Sequence, residues 1–266
     1  MLWDKTTYTA DISYLTNVFI YEYDISKANI NILFTKGIID ETTYNFLYEA
    51  QRMVRQVYVG KLCKDTKISN ILKAGIIEAK KMFFEANGIE DRDVLSIKND
   101  AVFLINKKPQ ITEFGLIKFV EKNVYTSFFK LANMEYYYYY SNVTKEEYID
   151  IKGISDSALE IHKEYFLQLI KDIFYSIQIN GPEISLRMLK EYYNDYIKLN
   201  LPIEHYRQFN SDSMFHFKFI SNIGTGYSIN SISENEKSLI DISYNLAIIL
   251  ELQRILVNQY FNNHHS

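Results

Sequence analysis

At 266 residues, 47% of them hydrophobic and 23% charged, the chain has the make-up of a folded protein of one large domain or two small ones, which excludes wholesale disorder. Its formal net charge of −4 provides no global positive field, so any contact with nucleic acid has to come from a local patch. The single cysteine, Cys63, excludes an internal disulfide and a cysteine-rich zinc site; no apolar run reaches membrane-spanning length and Met1-Leu2-Trp3-Asp4-Lys5 opens no secretory leader, so a cytoplasmic protein without a membrane partner is expected.

The first strand is expected over residues 19–25, with Asp24 inside its apolar run. Ile30, Ile32, Leu33 and Phe34 carry that run to Gly37, a helix stop. Asp40-Glu41-Thr42-Thr43 then caps a helix with Tyr44, Leu47 and Tyr48 on one face and Met53 and Val54 beyond. From Ser69, apolar residues recur at helical spacing through Leu72, Ile76, Ala79 and Phe83, and Asn87-Gly88 closes that helix. Residues 94–105 read as a strand containing Asp100, followed by a turn at 106–109. Further strands over 115–120 and 125–131 and the consecutive tyrosines Tyr136 to Tyr140 complete the pattern of an antiparallel sheet. The tyrosine run reads either as a half-buried strand with an aromatic outer face or as a platform for stacking bases.

Beyond Lys152-Gly153 the character changes to amphipathic helices over 159–177, 182–199 and 239–260, with a hairpin-like stretch at 215–229 turning at Gly224-Thr225-Gly226. The predicted organisation is therefore an α+β domain over 1–153 and a mainly helical domain with a β-hairpin over 154–266. Asn262 to Ser266 read as a frayed tail, whose histidines are not counted as ligands.

Chemistry is suggested first by the two aspartates. An unpaired carboxylate in a half-buried strand is costly, so two of them point to a shared cation, as in two-metal phosphoryl transfer. The plainer alternative is that each caps a strand end. His162, His205 and His216 have no carboxylate at ligand spacing and are not read as a metal site. Neither a G-x-S-x-G, a P-loop nor a C-x-x-C motif is present, and Gly224-Thr225-Gly226 is read as a turn and not a phosphate loop.

The order of these features resembles the carboxy-terminal half of the family B DNA polymerases, palm followed by thumb. Asp24-Ile25-Ser26-Lys27-Ala28-Asn29 is similar to the family's first palm motif, an Asp opening a short segment that leads into a helix. Arg52-Met53-Val54-Arg55-Gln56-Val57-Tyr58-Val59-Gly60 repeats the spacing of its KxxxNSxYG motif, with Arg52, Gln56 and Gly60 at the Lys, Asn and Gly. Lys98-Asn99-Asp100-Ala101 resembles the DTDS strand, with Lys98 at the first Asp and Asp100 at the metal-binding second. Met134-Glu135-Tyr136 and Lys152-Gly153 resemble the KxY and KG elements, and the likeness runs from residue 19 to 256. The departures are the absence of an exonuclease region before Asp24, a 24-to-52 interval too short for paired finger helices, and Met134 where the resemblance calls for Lys.

What the resemblance implies is a metal-dependent DNA-directed nucleotidyltransferase, acting alone or as a subunit. Asp24 and Asp100 would hold Mg²⁺ or Mn²⁺ with the Ile25 carbonyl. Arg52, Arg55 and Gln56 would grip a nucleoside triphosphate, and Asn29 would stand where the family screens the sugar. Lys152 and Tyr136 would contact a primer-template, and a protein partner would supply the missing fingers. The alternative is a catalytically inactive, polymerase-derived module for nucleic-acid binding or assembly. Two simpler readings stay open beside these: Arg52 and Arg55 as a solvated helix face with Glu49, and Lys98 as a structural ion-pair partner of Asp100. With 23 tyrosines and 17 phenylalanines beside many Ile, Asn and Lys, the composition fits an AT-rich genome, and so shrunken a polymerase-like chain points to a virus or other mobile element.

Overall fold

The computed structural model describes residues 1–131, 134–141, 143–153, 166–206 and 243–265. The hairpin expected at 215–229, His162 and His216, and the first part of the helix expected over 159–177 lie outside them. The chain is an α+β protein in two compact units, Met1–Ile12 with Val18–Tyr125 and Ser13–Asn17 with Thr126–Ser266. The units part at Tyr125, whereas the change in sequence character lies near Lys152.

In the first unit the elements are β1 (Thr7–Thr9), β2 (Tyr14–Ile25), α1 (Ala28–Thr35), α2 (Glu41–Glu49), α3 (Arg52–Leu62), α4 (Thr66–Asn87), β3 (Val94–Lys98), β4 (Ala101–Ile105), β5 (Glu113–Phe114) and β6 (Ile117–Leu131). Strands β2 and β6 continue into the second unit. The strand order is β1-β3-β4-β2-β6, with β5 paired to β6, and the β1–β3, β3–β4, β4–β2 and β5–β6 pairings are antiparallel. Local chemistry sets the helix limits. Asp40 accepts a hydrogen bond from the Thr43 amide at 2.7 Å to start α2, and Gly88, at φ +56°, ends α4 in the left-handed conformation that glycine tolerates without strain. Tyr23, Ile25, Ile97, Val102, Leu104 and Phe119 of the strands share one core with Ile32, Leu33, Ala79 and Phe83 of α1 and α4. The two helices approach so closely that a Cβ built on Gly75 would lie 2.4 Å from Ile32 Cγ2.

Two strand expectations change. Residues 94–105 are not one strand but the hairpin β3–β4, whose two-residue turn is Asn99-Asp100, because Asn99 takes the left-handed conformation at φ +56° and Lys98 pairs with Ala101. Asp100 therefore stands at a turn and not inside a strand. The strands expected over 115–120 and 125–131 are joined in β6, which begins at Ile117 after a turn at Gly115-Leu116.

The second unit adds β7 (Met134–Tyr140), β8 (Glu147–Lys152), α5 (Phe166–Asn180), α6 (Pro182–Ile197) and α7 (Ser243–His265). The β6–β7 and β7–β8 pairings are antiparallel. Ile170, Ile173 and Phe174 of α5 pack with Phe129, Met134, Tyr136 and Tyr138, and Leu189 and Ile249 bring α6 and α7 into the same core. The tyrosine run is a strand, as one of the two readings has it, but it is not half-buried over Tyr136 to Tyr138. Tyr136, Tyr137 and Tyr138 are all fully buried, so both faces of β7 are covered and Tyr136 presents no surface for stacking a base. The segment read as a frayed tail continues α7 as far as His265.

Candidate functional site

Antiparallel pairing decides where the two aspartates meet. Asp24 is in register with Ala101, which places it beside Asp100 at the β3–β4 turn. The two acids line one cavity, close enough for the Asp100 charge to act on Asp24. Burial and the neighbouring Asp100 charge push the Asp24 carboxyl up to about 6. Lys122 of β6 opposes this and favours the charged form. Lys98, the alternative partner for Asp100, donates from Nζ to Thr9 Oγ1 at 3.3 Å.

Immediately after Asp24 the chain turns into a helix. The Ser26 amide donates to the Lys118 carbonyl at 2.8 Å, and Lys27 adopts the left-handed conformation, φ +49°, that swings the backbone into α1. The Lys27 ammonium donates to the Tyr48 carbonyl at 2.7 Å and lies 3.3 Å over the Tyr48 ring, and a donor-only side chain cannot cap the start of α1. Helix starts leave free amide donors and a partial positive charge. Gln51 likewise gives α3 no side-chain cap. Both helix starts face one cavity of about 380 Å³. Its lining includes Asp24, Ile25, Asn29, Arg52, Arg55, Gln56 and Asp100. Asp24, Asp100, Arg52, Arg55, Gln56, Asn29 and Ile25, the candidates offered by the sequence, are thus brought together, although they come from β2, α1, α3 and the β3–β4 turn. Arg55 is also tied to its own helix start, donating from Nη1 to the Ala50 carbonyl.

Lys152 and Tyr136 do not line this cavity. Lys152 pairs with Asp150 at 2.6 Å, and Tyr136 is in the core of the second unit with its hydroxyl 3.7 Å from Met134 Sδ.

Two lysines were missed by sequence reasoning. Lys122 lines the cavity, and only the β2–β6 pairing reveals it. Lys80 is fully buried, donates to the Lys5 carbonyl, and feels the Asp100 and Asp4 charges; burial nonetheless brings it down to about 8. Its signal was legible, since it falls between Ile76 and Phe83 on the apolar stripe of α4.

The donor set fits a hard divalent cation. Two carboxylates and the adjacent Ile25 carbonyl are oxygen ligands of the kind Mg²⁺ and Mn²⁺ take, with water completing the shell. Among the described residues no group of three or more His, Cys, Asp or Glu side chains is arranged to hold a metal. Also among the described residues, no helix is long and apolar enough to cross a membrane.

Comparison with known families adds a lineage. Residues 1–258 match the family of the bacteriophage PBS1 gene 130 protein. The chain belongs to that family. A phage family agrees with the viral or mobile-element character expected from the composition. A search of curated proteins returned no match.

Proposed function

We propose that this phage-family protein carries a reduced, family-B-like polymerase palm in its first unit and performs metal-dependent nucleotidyl transfer onto a primer, alone or as one subunit. The observation that carries the reading is the convergence of Asp24, Asp100, Arg52, Arg55, Gln56 and Asn29 on one cavity of about 380 Å³, within the size range of ligand sites. The residues match the reaction's needs. In nucleotidyl transfer a primer 3′-hydroxyl attacks the α-phosphorus, the bond to the β-phosphate oxygen breaks, and pyrophosphate departs with the electron pair while the hydroxyl proton passes to solvent. Arg52 and Arg55 offer planar donors to the phosphates, Gln56 an amide, and the starts of α1 and α3 add free N–H groups. Asn29, exposed at the cavity, stands at the sugar side. Asp24, Asp100 and the Ile25 carbonyl would hold Mg²⁺ or Mn²⁺, which when bound supplies Lewis acidity and orients phosphate oxygens.

Primer extension with Mg²⁺ or Mn²⁺ and deoxynucleoside triphosphates tests this. Incorporation is expected, and Asp24→Ala and Asp100→Ala should each reduce it about 100-fold or more, the effect of losing several kcal/mol of transition-state stabilisation. Undiminished incorporation in both variants would reject the site. Product made without template would redirect the reading to a template-free nucleotidyltransferase or cyclase.

A second reading, a catalytically inactive module for nucleic-acid binding or assembly, is favoured by one feature. Phe46 of α2 and Met53 and Val57 of α3 are all more than half exposed, an apolar set suited to a protein partner that supplies the fingers. DNA retention in a gel shift without incorporation under any metal would favour it.

A further inference from the structure

We infer that Lys80 is a positioning residue for the candidate metal site: its buried ammonium fixes the backbone at Lys5-Thr6, and that backbone fixes the turn that carries Asp100. The consequence for Asp100 rests on the metal-site reading above, whereas the link from Lys80 to the turn is a property of the fold alone. Among the described residues Lys80 is the one fully buried cation. An ammonium taken out of water is costly to bury, and a methionine of similar length would fill the same place on the apolar stripe of α4 without that cost. The ammonium donates to the Lys5 carbonyl, 75 residues away in the chain.

The next residue carries the connection to the site. The Thr6 carbonyl accepts from the Asn99 amide at 2.7 Å, and Asn99 is the first residue of the β3–β4 turn, at φ +56°. The peptide that enters the turn is thus bonded from outside the hairpin, and its orientation sets the direction in which the following Asp100 leaves. On one side of this stretch the Leu2 amide donates to Asp91 Oδ1 at 2.8 Å; on the other, Thr7 pairs with Lys98 and the Ala10 amide donates to the Leu95 carbonyl at 2.8 Å. Between that anchor and that pairing, the hydrogen bond from Lys80 is what ties the backbone to α4. Asp100 stands at the tip of a two-residue turn and lines the cavity. A ligand so placed keeps its geometry only where the groups behind it are fixed.

Lys80→Met tests this, since it keeps the length and packing of the side chain and removes the donor and the charge. Two quantities are read on the full-length chain. Without metal, hydrogen exchange at the Asn99 amide should speed up about tenfold while amides within α1 keep their rates. In a Mn²⁺ titration followed by electron paramagnetic resonance, affinity should fall about tenfold. The melting temperature should equal or exceed that of the wild type, because a buried charge has gone. Mn²⁺ affinity left intact, with or without a lower melting temperature, is the result of a residue that only supports the fold, and it overturns the inference. Unchanged exchange at Asn99 overturns it as well. If the wild type binds no Mn²⁺, the metal-site reading fails, and exchange at Asn99 then decides separately whether Lys80 holds the turn. Should Lys80→Met not fold, as judged by circular dichroism, Lys80→Gln, a shorter and neutral donor, is read in the same two ways, and wild-type exchange or wild-type affinity overturns the inference.

Discussion

Asp24 is held in conflict when no cation is present. Burial and the Asp100 charge raise its folded pKa to about 6, above the 3.8 of a free side chain, so the native state binds more protons than the unfolded chain across that window. Stability from this group is thus greatest at low pH and falls as pH rises from about 4 to about 6. An asparagine carries no such penalty. In EDTA at pH 7, Asp24→Asn should melt higher than wild type by about 2–4 °C, the shift of roughly 1 kcal/mol in a chain of this size, and the gap should close by pH 4. Adding Mg²⁺ at pH 7 should reverse the order, since only the wild type gains a ligand. Calorimetric scans across pH, with and without metal, check this, and a gap independent of pH would show the pair is not strained. At this scale most of the residues that line the cavity were legible from the chain as candidates, because an acid in an apolar run and arginines at helical spacing are local signals. Lys122 was not, since its approach to Asp24 depends on long-range strand pairing.

The close approach of α1 to α4 at Ile32 depends on a missing side chain at Gly75. Gly75→Ala restores about 1 kcal/mol of helix propensity, yet its methyl would lie 2.4 Å from the buried Ile32 Cγ2, and overpacking costs about 1–3 kcal/mol. The clash should win, lowering urea stability by about 1 kcal/mol. Combining it with Ile32→Ala should cost less than the sum of the two single changes, because each offsets the other's volume. Strict additivity would show that the helices do not meet there. Elements with local punctuation were read well. Asp40 at the start of α2 and Gly88 after α4 act as their residue types suggest, whereas Asn99-Asp100 was overlooked as a hairpin turn because the apolar runs on either side read as continuous. The tyrosine run misled for a related reason. Alternation cannot be seen in a run of identical residues, so it gave no sign that both faces of β7 are covered.

At the scale of the molecule, the shift to helical sequence near Lys152 does not coincide with the division into compact units, because β7 and β8 pack with α5 in the second unit. Trp3, the single tryptophan, belongs to the first unit, so its fluorescence follows that unit while far-UV circular dichroism follows the whole chain. Because β2 and β6 cross the division, the two signals should change together in urea. Separate midpoints would show that the units melt independently. The same crossing strands bear on ancestry. Each unit is assembled from discontinuous stretches, Met1–Ile12 and Val18–Tyr125 for one, Ser13–Asn17 and Thr126–Ser266 for the other, so no single break in the gene frees either as a module. Shuffling by recombination would have to carry both halves at once, and the lineage is expected to have been inherited as one indivisible block, with changes in function arriving by substitution and not by exchange of parts.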